Sequence, residues 1–157
     1  MNTHHDGAKL PAPVAAVING LDLTDKVGQT ISLTATDDTG WPRIALLSIG
    51  EVLSATGTDI RLALHAGSGT TAALTATGRA LLTTVVDGTH YRIRVRTSRI
   101  PLDDADPLAY FHGTVVNVDE DRVPYAELTS GITYRLNDPV AVVNRWSRQI
   151  DRLRSLT

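Results

Sequence analysis

A chain of 157 residues, 42% hydrophobic but only 4% aromatic, is long enough for one domain with a substantial core and too short for two. That core must be filled by Val, Leu, Ile and Ala, which favours strands. A formal charge of −2 argues against a dedicated nucleic-acid binder, whose phosphate contacts need a basic surplus, and the absence of cysteine excludes a disulfide framework, an iron–sulfur cluster and a thiol nucleophile.

Residues 1–10 are polar and read as a flexible N-terminus containing His4 and His5. They hold no apolar stretch of the signal-peptide kind, and no run in the chain approaches the roughly 20 apolar residues that cross a bilayer. The expectation is a cytoplasmic protein without a membrane partner, with residues 11–157 forming a single domain. Pro11-Ala12-Pro13 followed by an apolar run and Gly20 predicts a short helix, with proline at its start and glycine past its end. Gln29 to Ala35 alternates apolar and polar residues up to Asp37-Asp38-Thr39-Gly40, a strand and then a turn. Arg43 to Val52 is nearly continuous in apolar residues, as expected of a strand covered on both faces. Ile60 to His65 alternates again.

Gly67-Ser68-Gly69-Thr70-Thr71 then opens a predicted helix. A helix start offers four backbone N–H groups without intrahelical partners and the positive end of the peptide dipoles, so small hydroxyl residues there mark a candidate anion site. Ala80 to Val86 and Thr89 to Arg96 are joined by Asp87-Gly88, a pair suited to a two-residue type I′ turn. That turn sets Val86 against Thr89, Thr84 against Tyr91, Leu82 against Ile93 and Ala80 against Val95, giving one apolar face; His90, Arg92, Arg94 and Arg96 occupy the other. The acidic run between Pro101 and Pro107 reads as an exposed connection. Tyr110 to Val118 is a further strand before an Asp119-Glu120-Asp121-Arg122 turn, and Ile132 to Leu136 is a last short one. Asp138 is a good N-cap with Pro139 at the first helical position, and Val143, Trp146, Ile150 and Leu153 recur every three or four residues, which makes the terminal helix amphipathic. The five His residues form no HExxH-like pairing, so no metal is expected.

Several strands, few long helices and a tight hairpin point to a mainly β fold, a small antiparallel barrel with flanking helices. The order Arg43-Ile44-Ala45-Leu46-Leu47-Ser48, a second strand, Ser68-Gly69-Thr70 at a helix start, and a hairpin containing Tyr91-Arg92-Ile93-Arg94 resembles the pyridoxamine 5′-phosphate oxidase-like family, the flavin-binding split β-barrels, over roughly Ile31 to Thr97. The resemblance implies a six-stranded antiparallel split barrel of Greek-key type, a homodimer with cofactor sites at the subunit interface, and FMN as cofactor. By position it implies that Arg43, Ser48, Ser68 and Thr70 surround the phosphate and ribityl chain, that Thr71 adds a hydroxyl and that Arg92 approaches the ring system; Leu47 and His65 are further candidate cofactor-binding residues. This chain departs from the family pattern where Ser48 stands in place of a lysine and Gly69-Thr70 in place of an Arg/Lys-Lys pair, so three positive charges are missing. No nucleophile with its base is visible, which suits chemistry carried by a flavin ring. The expected function is an FMN-binding oxidoreductase transferring hydride or electrons to or from a small substrate. The alternatives are a non-catalytic barrel binding a deazaflavin, haem or another ligand, or an apo dimeric interaction domain.

Overall fold

The computed structural model describes residues 8–102 and 105–156; His4, His5 and the Asp103-Asp104 part of the acidic run lie outside the described residues. Leu10, at the end of the stretch expected to be flexible, is buried, and its N–H donates to the Gly57 carbonyl at 2.7 Å. Helix α1 (Ala12–Val17) starts at the predicted proline and buries Val14. A single 3₁₀ turn leads to β1 (Ile31–Thr36), in which Ile31, Leu33 and Ala35 are buried as their alternation requires. The Asp37 carboxylate shapes the next turn by accepting from the Thr39 N–H, the Thr39 hydroxyl and the Trp41 N–H, which delivers the chain into β2 (Pro42–Leu47) antiparallel to β1.

Here the structure corrects the sequence reading. Arg43 to Val52 is not one covered strand: β2 ends at Leu47, residues 48–51 turn, and β3 is the two residues Val52–Leu53. Ser48 and Glu51 make the turn, since the Glu51 carboxylate accepts from the Ser48 N–H and the Ser48 hydroxyl accepts from the Gly50 N–H. β2 is an edge strand, with Ile44 67% and Leu46 57% exposed. β4 (Asp59–His65), α2 (Gly69–Thr77), β5 (Arg79–Val86) and β6 (Thr89–Arg99) follow. The β5–β6 hairpin has the expected register, and both turn residues adopt positive φ, 49° at Asp87 and 77° at Gly88, as a type I′ turn demands. β7 (Leu108–Asp121) is longer than expected, because Asp119, Glu120 and Asp121 continue the strand opposite Arg92, Tyr91 and His90 instead of turning. Ile132 to Leu136 is not a strand; Tyr134 and Leu136 lie against the core without a ladder partner. α3 (Pro139–Ser155) is capped by Asp138, whose carboxylate accepts from the Ala141 N–H.

Among the described residues the sheet has seven strands, not six, in the order β2-β1-β5-β6-β7-β4-β3. β2 and β3 stand at its opposite ends although only residues 48–51 join them. A flat sheet of this size would separate its outer strands by about 29 Å, whereas the connection reaches about 18 Å at most. The sheet must therefore curl until its edges meet. Inside the curl Leu33, Leu62, Leu82, Ile93, Phe111 and Val115 are fully buried with Val14 of α1. A second cluster joins Leu53, Ala63 and Tyr110 to Ile150 and Leu153 of α3. The last turn of α3 is secured by Arg61 of β4, whose guanidinium donates to the carbonyls of Leu153, Arg154 and Leu156 at 2.8, 3.1 and 3.1 Å and opposes the negative end of the helix.

Candidate functional site

The curl does not close by hydrogen bonds. Among the described residues β2 pairs only with β1, and β4 beyond Ala63, whose N–H donates to the Glu51 carbonyl at 2.9 Å, pairs only with β7, so Ala45–Leu47 and Ala63–His65 face each other across a groove of about 230 Å³. The start of α2 supplies the end of this groove. Ser68 is its N-cap: its hydroxyl accepts from the Thr71 N–H at 3.1 Å and donates to the Thr71 hydroxyl, which donates to the His65 carbonyl at 2.6 Å. The cap consumes the Thr71 N–H, while the Ala72 N–H donates to the Ser68 carbonyl. Among the described residues the Gly69 and Thr70 N–H groups and the Thr70 hydroxyl make no hydrogen bond, and Thr70 lines the groove. Gly78, at φ 68°, ends the helix in the left-handed conformation glycine favours.

Arg43 of β2 reaches the same helix start. Its guanidinium lies so close over Gly69 that a Cβ there would sit 2.5 Å from Cζ and Nη2. Among the described residues Arg43 makes no ion pair or hydrogen bond; its charge contributes only the weakest of the influences that hold the Asp37 carboxyl below its ordinary range, the strongest being the Thr39 hydroxyl. A free guanidinium packed against two free N–H groups at the positive end of a helix is a repulsive arrangement on its own and a stabilising one around an anion.

Of the residues singled out from the sequence, Leu47, His65, Ser68 and Thr70 line the groove and Arg43 stands beside it. Thr71 is 1% exposed, behind the cap, with its hydroxyl already engaged. Ser48 opens onto a neighbouring cavity of about 400 Å³ that shares Leu46, Leu47 and Glu51 with the groove. Arg92 is not brought there by its own chain. It pairs with Asp121 at 3.6 Å in the row Leu46, Ser32, Thr83, Arg92, Asp119, about 14 Å from β2 at the usual strand spacing. One residue was missed. Glu51 lies in the wall between groove and neighbouring cavity, and burial pushes its carboxyl up, opposed by the Ser48 N–H and the charge of Arg145. The spacing Ser48-x-x-Glu51 is the capping-box pattern and was the available signal. Among the described residues no group of three or more His, Asp or Glu side chains could hold a metal, and no helix is long and apolar enough to cross a membrane.

No protein-family model matches the chain. It is 33% identical over 140 residues to the uncharacterized protein YclD of Bacillus subtilis, an alignment covering 88% of this chain and 91% of that one. Among solved structures it is similar to HupZ of Group A Streptococcus (TM-score 0.56, 11% identity, 71% of this chain and 98% of that one). It is also similar to a pyridoxamine 5′-phosphate oxidase-like protein of Lactobacillus delbrueckii (TM-score 0.55, 11% identity, 71% and 93%) and to an FMN-binding protein of Syntrophomonas wolfei (TM-score 0.50, 14% identity, 71% and 89%). The chain thus belongs to the family of YclD, and its curled sheet is the split β-barrel of the pyridoxamine 5′-phosphate oxidase-like proteins.

Proposed function

We propose that this protein is a homodimeric FMN-binding oxidoreductase that transfers hydride or electrons to or from a small substrate. The observation that carries the proposal is the unpaired guanidinium of Arg43 over Gly69, beside the free N–H groups of Gly69 and Thr70. These groups fit a phosphate, and they offset the missing lysines: one charge-assisted contact contributes about 1.5–3 kcal/mol, and the helix start adds donors without further side chains. Leu47 supplies an apolar wall, with His65 beside it, for the remainder of the cofactor, and Ser48 faces the neighbouring cavity. Arg92 reaches the site only from a second copy of the chain. When bound, the flavin ring supplies the redox chemistry; the chain's part is to anchor the phosphate, shield one face of the groove and keep water from it. The fold shared with an FMN-binding protein supports the reading.

The test is titration with FMN followed by quenching of flavin fluorescence. Arg43→Ala is expected to weaken binding about 10- to 150-fold, the factor equivalent to one charge-assisted contact, with an unchanged melting temperature because Arg43 is exposed. Equal affinity in the variant, or a wild-type protein that ignores FMN, overturns the proposal.

A further inference from the structure

We propose that the cavity beyond the Ser48–Glu51 turn is the substrate compartment and that it takes a small apolar carboxylic acid whose carboxylate pairs with Arg145. The inference rests on the reading of the groove as a cofactor site. The two spaces share Leu46, Leu47 and Glu51 as a common wall, so molecules held in each would be neighbours across a single layer of side chains. The compartment measures about 400 Å³, inside the range of small-molecule sites. Leu47, Leu136, Val142 and Trp146 make it apolar.

Its shape is fixed by packing. Trp146 is 2% exposed, pressed onto Gly50, and edge-on to Tyr134 with ring centroids 6.5 Å apart. Among the described residues Arg145, next to Trp146 on α3, is the sole cation in the wall; it is exposed and forms no ion pair within 4 Å, and its charge acts on the Glu51 carboxyl. A planar guanidinium at the edge of an apolar space selects a carboxylate, which it can hold by two parallel hydrogen bonds while the apolar body stays out of water. Glu51 sets the other limit. Its carboxyl is held by the Ser48 N–H in the shared wall and feels the charge of Arg145, so a ligand carboxylate at Arg145 competes with Glu51 for that charge.

Trp146 is also the reporter. The chain has two tryptophans, and Trp41 is 73% exposed, so the full-length Trp41→Phe protein isolates the Trp146 signal. Titration with 2-naphthoate should quench that fluorescence saturably. Arg145→Gln should weaken 2-naphthoate at least tenfold while leaving the neutral 2-naphthylmethanol unchanged, and Glu51→Gln should tighten 2-naphthoate. In parallel, Arg43→Ala should lose FMN but keep 2-naphthoate. Absence of quenching by 2-naphthoate, or equal affinity with and without Arg145, overturns the compartment. A wild-type protein that binds 2-naphthoate as described but ignores FMN upholds the acid site and overturns the cofactor reading alone.

Discussion

Arg43 owes its position to a missing methyl group. Gly69 is the first helical residue of α2, and only hydrogen at its α-carbon lets the guanidinium of a neighbouring strand settle over the helix start. Gly69→Ala puts a Cβ 2.5 Å from that guanidinium, and the flexible arginine moves more easily than the backbone. Alanine suits a first helical turn, so the fold should survive. The expected outcome is a protein with the wild-type melting temperature and an FMN affinity reduced nearly as far as in Arg43→Ala. The double variant should be no weaker than either single one, because both remove the same contact; the coupling read from FMN titrations of all four proteins checks this. Additive losses would mean that Gly69 and Arg43 act on the ligand separately.

At the scale of the element, α3 depends on a close approach at Gly50. A Cβ there would lie 2.2 Å from the Trp146 ring, and because Trp146 is fully enclosed it has nowhere to go. Gly50→Ala should lower stability by about 1–3 kcal/mol, the usual cost of overpacking, seen as a fall in the urea midpoint with an unchanged slope. The docking stripe of α3 was legible in the sequence because Trp146, Ile150 and Leu153 repeat with the helical period and Asp138-Pro139 fixes the start. The β5–β6 hairpin was legible because Asp87-Gly88 admits one register. Edge and interior strands are not separable by an apolar run, so β2 read as covered when half of its side chains face outward. The alternation of Ile132, Tyr134 and Leu136 fits an extended segment laid on a core as well as it fits a strand, and two-residue β3 leaves no pattern at all. In the site, the Ser68 cap was legible from local chemistry and Arg43 from the family resemblance. Glu51 was not singled out, since its burial arises only when the sheet curls.

Curling a seven-stranded sheet leaves its outer face to be accounted for. Leu46, Ser32 and Thr83 run into Arg92; Ile44, Thr34 and Leu81 run into Arg94 and Asn117. This surface mixes large exposed aliphatics with arginines, and between Thr34, Leu81, Arg94 and Val116 it forms a concavity of about 480 Å³. Among the described residues Arg92 has only the half-exposed Asp121 as an ion partner, a contact of small energetic value. A face of this kind is too apolar for solvent and too charged for a core, which suits contact with a second copy. The chain should sediment at twice its 16.9 kDa. Ile44→Asp should return it to one chain without unfolding it, because Ile44 contributes nothing to the interior. If Arg92 is supplied across this interface, the Ile44→Asp monomer should also lose FMN affinity although Arg43 and the Ser68 cap are intact. A monomer binding FMN as tightly as the dimer would place the whole cofactor site within one chain and remove Arg92 from it.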